Sequence, residues 1–121
     1  MKFLKLVTCI LALSSLQCSL PSSVACDDKV ESKSVSPNQK YVATLFVRNC
    51  GATTDYSTIV KINPAATTST DDGDQVFVAR GDFDVQMIWQ NDSAIRLSCQ
   101  RCKTDDIFKQ DKSWRDVAIS Y

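Results

Sequence analysis

The chain of 121 residues contains no histidine. That removes Ser-His and Cys-His nucleophile pairs, the commonest general base at neutral pH, and histidine-ligated metal sites. Charge of neither sign is in excess, since 14 Lys plus Arg balance 14 Asp plus Glu. No basic stripe with interleaved aromatics occurs, so no nucleic-acid partner is expected. The longest mainly apolar stretch, Leu6 to Leu16, falls well short of the roughly 20 residues that a membrane-spanning helix needs. Nowhere does a 3.6-residue apolar period persist over a useful length, and no internal repeat is visible.

What is present at the N-terminus reads as an export signal. Lys2 and Lys5 supply a short positive region, Leu6 to Leu16 an apolar core, and Pro21 a helix break. Ser23-Val24-Ala25 then puts small residues at the −3 and −1 positions, so residues 1–25 are expected to be a signal peptide cut after Ala25. A lipid anchor competes with this reading. Cys18 stands at the right distance but follows Gln17, and Cys26 follows Val24-Ala25 with Ser23 where an aliphatic residue is usual. Residues 26–121 hold Cys26, Cys50, Cys99 and Cys102, an even set that allows two disulfides in three pairings. Lipidating Cys26 would strand one thiol, so the soluble form ranks first and an anchor at Cys18 second. The protein is therefore expected in the periplasm or outside the cell, touching a membrane only through such an anchor.

Cleavage leaves 96 residues, enough for one domain. Without Lys2 and Lys5, 12 cations face 14 anions, a formal charge of −2. A core of this size is marginal, and disulfides are the usual remedy in exported domains. The expected fold is mostly β: a single small antiparallel sheet or sandwich of about six strands, stapled by disulfides.

The strands show as alternation between turns. Residues 26–37 form a polar lead-in with room for one edge strand, and Ser36-Pro37-Asn38-Gln39 is a turn. Lys40 to Arg48 alternates, with apolar residues on both faces, and Asn49-Cys50-Gly51 stops it. Further strands are expected near Ser57 to Asn63, Gln75 to Arg80, Phe83 to Gln90, Ile95 to Cys99, and Val117 to Tyr121. Residues 65–74 read as a surface loop, and Asp105 to Trp114 has room for one helical turn.

Candidate chemistry is sparse. Cys99-Gln100-Arg101-Cys102 has the CxxC spacing of thiol oxidoreductases, but it ends a strand, and no amphipathic helix follows to activate a thiolate. A structural bridge in a turn is the favoured reading, with redox work an alternative. Cys26 and Cys50 are the other favoured pair, and cross-pairing stays open. Asp71-Asp72-Gly73-Asp74 lacks the ligand spacing of a calcium loop. Trp89 and Trp114 read as core, and Asn91-Asp92-Ser93 matches a glycosylation sequon. No cofactor and no metal are expected. The segment best supplied for binding is the strand-end loop that contains Asn49, Gly51, Thr53, Thr54, Asp55 and Tyr56.

Ser36-Pro37-Asn38-Gln39-Lys40-Tyr41-Val42-Ala43, then Arg48-Asn49-Cys50-Gly51-Ala52-Thr53-Thr54 and Ser57-Thr58, resembles a group of small bacterial exported and lipoprotein-like proteins. These commonly read Ser-Pro-Asp-Gly-Lys, then Arg-Asn-or-Asp-Cys-Gly-Ala-Thr-Thr, then Ser-Thr. Val76-Phe77-Val78, Trp89, and Ile107-Phe108-Lys109-Gln110 through Trp114 to Tyr121 extend the likeness. The group carries no established activity, so the resemblance points to export rather than to a reaction. Ser-Pro-Asp-Gly-Lys also opens strands in propeller blades, but this chain is too short for a propeller. The functional expectation is a non-enzymatic extracytoplasmic binding domain for a protein or a small envelope ligand. The alternatives are an inhibitor or immunity-type protein that blocks an envelope enzyme or toxin, and a thiol-redox protein using Cys99 and Cys102.

Overall fold

Apolar side chains that recur at every second position line one face of a sheet, and without helices to cover it that face is buried by a second sheet. In the computed structural model, which describes residues 26–66 and 73–121, this is what the chain does. The expected signal peptide and the lipidation candidate Cys18 lie outside those residues. β1 (Asp27–Val35), β2 (Tyr41–Asn49), β3 (Ser57–Pro64) and β4 (Asp74–Arg80) form an antiparallel meander. β5 (Gln86–Asn91) and β6 (Ala94–Ser98) form a hairpin in a second sheet. β7 (Ile107–Gln110) then joins the first sheet beside β4, and β8 (Ser113–Trp114) and β9 (Val117–Ser120) complete the second. The strand orders are β1-β2-β3-β4-β7 and β5-β6-β9-β8.

Among the described residues there are thus nine strands where the sequence suggests about six. The lead-in is a full nine-residue edge strand, β1. Residues 83–85 lie before β5 rather than in it, because they belong to the crossing between the two sheets. One helical turn does form, a short 3-10 segment at Thr104–Asp106, and β7 and β8 follow it. Among the described residues all strand pairings are antiparallel except that of β6 with β9. The chain leaves the second sheet after β6, adds β7 to the first, and returns. An excursion of that length is what a parallel neighbour requires.

The core lies between the sheets. Register places Ala43 beside Ile62, Leu45 beside Val60, and Val60 beside Phe77, all buried. Ile95, Leu97, Val117 and Ile119 meet them from the second sheet. Trp114 is buried, with its ring edge-on to Tyr41 at 5.3 Å and its indole N–H donated to Asp74 Oδ2 at 2.8 Å. The Trp89 indole N–H donates to Ser34 O at 3.0 Å, which ties β5 to the edge strand β1. Both tryptophans therefore do the structural work their spacing implied.

The β1–β2 turn is closed by Gln39 N–H donating to Ser36 O at 2.8 Å. The buried Ser36 hydroxyl donates to Asn38 Oδ1 at 2.7 Å and accepts from Tyr41 N–H at 3.0 Å. Gln39 is left-handed, with φ 62°. Glycine is the residue that takes this conformation without steric penalty. Gln39→Gly is accordingly expected to stabilise the domain by about 0.5–1 kcal/mol, read as a higher urea midpoint at unchanged slope.

Candidate functional site

The β2–β3 connection begins where the β1–β2 ladder ends. Asp27 pairs with Asn49, so the next residue outward on each strand, Cys26 and Cys50, face each other. They are bonded, with Cα atoms 4.1 Å apart. The bridge extends the ladder by one covalent rung and fixes the near end of the loop. Asn49 Oδ1 then accepts from Gly51 N–H at 3.0 Å, and Gly51 takes φ 126°, a conformation that side chains rarely allow. Thr54 closes the turn, its N–H and hydroxyl both donating to Gly51 O at 3.2 and 3.1 Å.

The far end of the loop is held differently. Tyr56 O accepts from Gly81 N–H at 2.6 Å, which couples the loop to the crossing after β4. Thr58, wholly buried, holds that crossing in place. Its hydroxyl donates to Gly81 O at 2.7 Å and accepts from Phe83 N–H at 2.8 Å. Residue 81 favours glycine, because its φ is 119° and a Cβ would stand 2.7 Å from the Phe83 ring. Behind the loop, Arg48 grips Asp28 through two hydrogen bonds of 2.8 and 3.0 Å. That hydrogen bond from Arg48 holds the Asp28 carboxyl below its ordinary range, against the opposing effect of partial burial.

Residues 51–56 are all exposed, and with Asn49 five of them (Gly51, Ala52, Thr54, Asp55 and Tyr56) line an open depression of about 500 Å³. Five of the six candidate residues therefore share this depression, and Thr53 is exposed on the same loop outside it. Their roles divide: Asn49, Gly51 and Thr54 spend their polar groups on the loop backbone. The side chains of Thr53, Asp55 and Tyr56 make no hydrogen bond within the described residues. A frame held at both ends, with a free hydroxyl, carboxylate and phenol, can offer directed hydrogen bonds at little ordering cost.

The other sequence candidates resolve differently. Cys99 and Cys102 are bonded, close a turn between β6 and the 3-10 segment, and pack half-buried against the core. Among the described residues there is no α-helix, and the segment after Cys102 is a three-residue 3-10 turn at Thr104–Asp106. Asp71 and Asp72 lie outside the described residues, and the Asp74 carboxylate accepts from Trp114. No group of three metal-ligating side chains occurs among the described residues. Asn91 ends β5, its Oδ1 accepting from Ser93 N–H in the β5–β6 turn at 2.9 Å.

Thr58 and Arg48 are the positioning residues that the sequence reading missed. Thr58 was legible in part, since it shares the Val60 and Ile62 face of β3, where a hydroxyl needs a partner. The partners come from a segment 23 to 25 residues later, which alternation does not reveal. The two disulfides fit an oxidising, extracytoplasmic setting, and among the described residues no helix is long and apolar enough to cross a membrane. Compared with known protein families, curated proteins and solved structures, the chain matches none.

Proposed function

We propose that the chain is an exported, non-enzymatic binding domain that presents the loop from Asn49 to Tyr56 to a protein partner or a small envelope ligand. The observation that carries this reading is the double clamp. Cys26–Cys50 holds one end of the loop and the Gly81–Tyr56 hydrogen bond the other, while Thr53, Asp55 and Tyr56 face solvent. Export follows from reading residues 1–25 as a cleaved signal peptide, which delivers a soluble domain to the periplasm or the medium. A lipid at Cys18 would tether the same domain to the membrane. The inhibitor alternative draws on the same observation, because a loop held at both ends can be presented to an enzyme surface. The likeness is architectural only.

The test replaces Tyr56 with a photo-crosslinking residue in cells that produce the protein. A discrete adduct is expected at Tyr56 and none at Gln90, an exposed residue on β5. Thr53→Ala with Asp55→Ala should lower the adduct yield about tenfold with folding unchanged, as two hydrogen bonds of about 0.5–1.5 kcal/mol each are lost. Equal adducts at Tyr56 and Gln90 would remove the loop from consideration.

A further inference from the structure

The outer face of the five-stranded sheet, the one turned away from the core, has a charge unlike that of the rest of the domain. Register defines it: Val30, Phe46, Ile59, Val78 and Lys109 stand side by side in one row across all five strands. The rows on either side bring Asp28, Arg48, Ser57 and Arg80 together, and Lys33, Thr44, Lys61 and Gln75. Five cations therefore share this face with one ladder carboxylate, Asp28, which Arg48 already holds. Glu31 is displaced from the ladder by the β1 bulge. Among the described residues the other acids, Asp27 and Asp74 excepted, lie outside the strands. Lys109 pairs with Asp111 at 3.3 Å, and no ion pair occupies Lys33, Lys61 or Arg80 among the described residues.

The same face exposes large apolar groups at its two edges. Val30 is 54% and Val35 52% exposed on β1, and Phe108 is 63% exposed on β7, with Arg80 stacked 5.0 Å from its ring centroid. Phe46 and Ile59, at the centre of the row, are buried. We propose that this face docks on an anionic phospholipid surface. The cations would meet the headgroups, while Val30, Val35 and Phe108 enter the interface. A purely polar polyanion would use the cations but leave the apolar side chains without a role. A lipid interface uses both.

The experiment is co-sedimentation of the full chain, recovered from the compartment to which it is delivered, with vesicles of phosphatidylcholine with and without phosphatidylglycerol. Binding is expected only to the anionic vesicles and should weaken steeply with salt. Replacing Lys33, Lys61 and Arg80 together by Gln should lower affinity about a hundredfold. The same change at Arg96, Lys103 and Lys112, exposed residues off this face, should cost about threefold or less, because charges beyond a Debye length are largely screened. Phe108→Ser should weaken binding without altering its salt slope, and it sits at a position whose loss the fold tolerates. Equal losses in the two triple variants would overturn the proposal, as would equal binding to neutral vesicles. Binding insensitive to all the charge changes would assign membrane contact to an N-terminal lipid instead. Equally tight binding to soluble dextran sulfate would make the ligand a polymer and not a bilayer.

Discussion

Phe77→Ala is expected to lower the unfolding free energy by about 3–5 kcal/mol, the range found for large-to-small changes at fully buried aromatics. Phe77 is 1% exposed, stands beside Val60 on the inner face, and has the Tyr121 ring 6.0 Å away. The Tyr121 hydroxyl is fixed in turn by donating to Asp111 O at 2.6 Å, so the surroundings cannot readily collapse into the space left. Burial first, and the nearby Asp111 charge second, also push the Tyr121 phenol well above its ordinary pKa, which keeps it a neutral donor. For a domain of this size each kcal/mol lowers the melting temperature by roughly 4–8 °C. A drop of roughly 12–40 °C is therefore the expected calorimetric result. Phe108→Ala supplies the control, since the same residue type on the neighbouring strand is mostly exposed. Its cost should stay under about 1 kcal/mol. Similar losses in the two variants would mean that the core is not where the register places it.

The second large effect comes from the staples, and the two bridges should differ. Cys26–Cys50 closes a loop with a sequence separation of 24, and Cys99–Cys102 one of only 3. Chain-entropy reasoning gives about 3.5 kcal/mol for the first and about 2 kcal/mol for the second. Cys26→Ser with Cys50→Ser should therefore shift the guanidinium midpoint further than Cys99→Ser with Cys102→Ser. The reverse order would show that packing of the half-buried Cys99 and Cys102 outweighs loop closure. The first double variant carries a further consequence, because it frees one end of the candidate loop. Under the proposed function, partner capture through Tyr56 falls at temperatures where the variant is still folded. The second variant leaves that capture intact.

Much of this fold was legible in the chain. Tyr41 to Asn49 and Ser57 to Pro64 announce themselves by β-branched alternation, and Pro64 and the Asn49-Cys50-Gly51 run mark where pairing must stop. The even count of cysteines in residues 26–121, with one pair at CxxC spacing, pointed to the bridges that form. The candidate loop was identifiable because hydroxyls, a carboxylate and a phenol gather between two strands.

Other features had no local signal. β1 is polar and exposed along most of its length, and its strand state comes from pairing with β2 rather than from burial of its own side chains. β7 and β8 are too short to show a period. Gln39 and Arg115 take positive φ where sequence alone would ask for glycine, so the turns there are imposed by the strands they join. The partition follows from range. Alternation, turn residues and cysteine spacing are properties of adjacent residues, and they determined the β class, the main strands and the candidate loop. Three matters depend on contacts between residues far apart in the chain: which sheet each strand joins, the parallel seating of β9 beside β6, and the grip of Thr58 on the crossing at Gly81. These only the packing of the two sheets decided, because burying both apolar faces at once selects one arrangement among many that the local pattern allows.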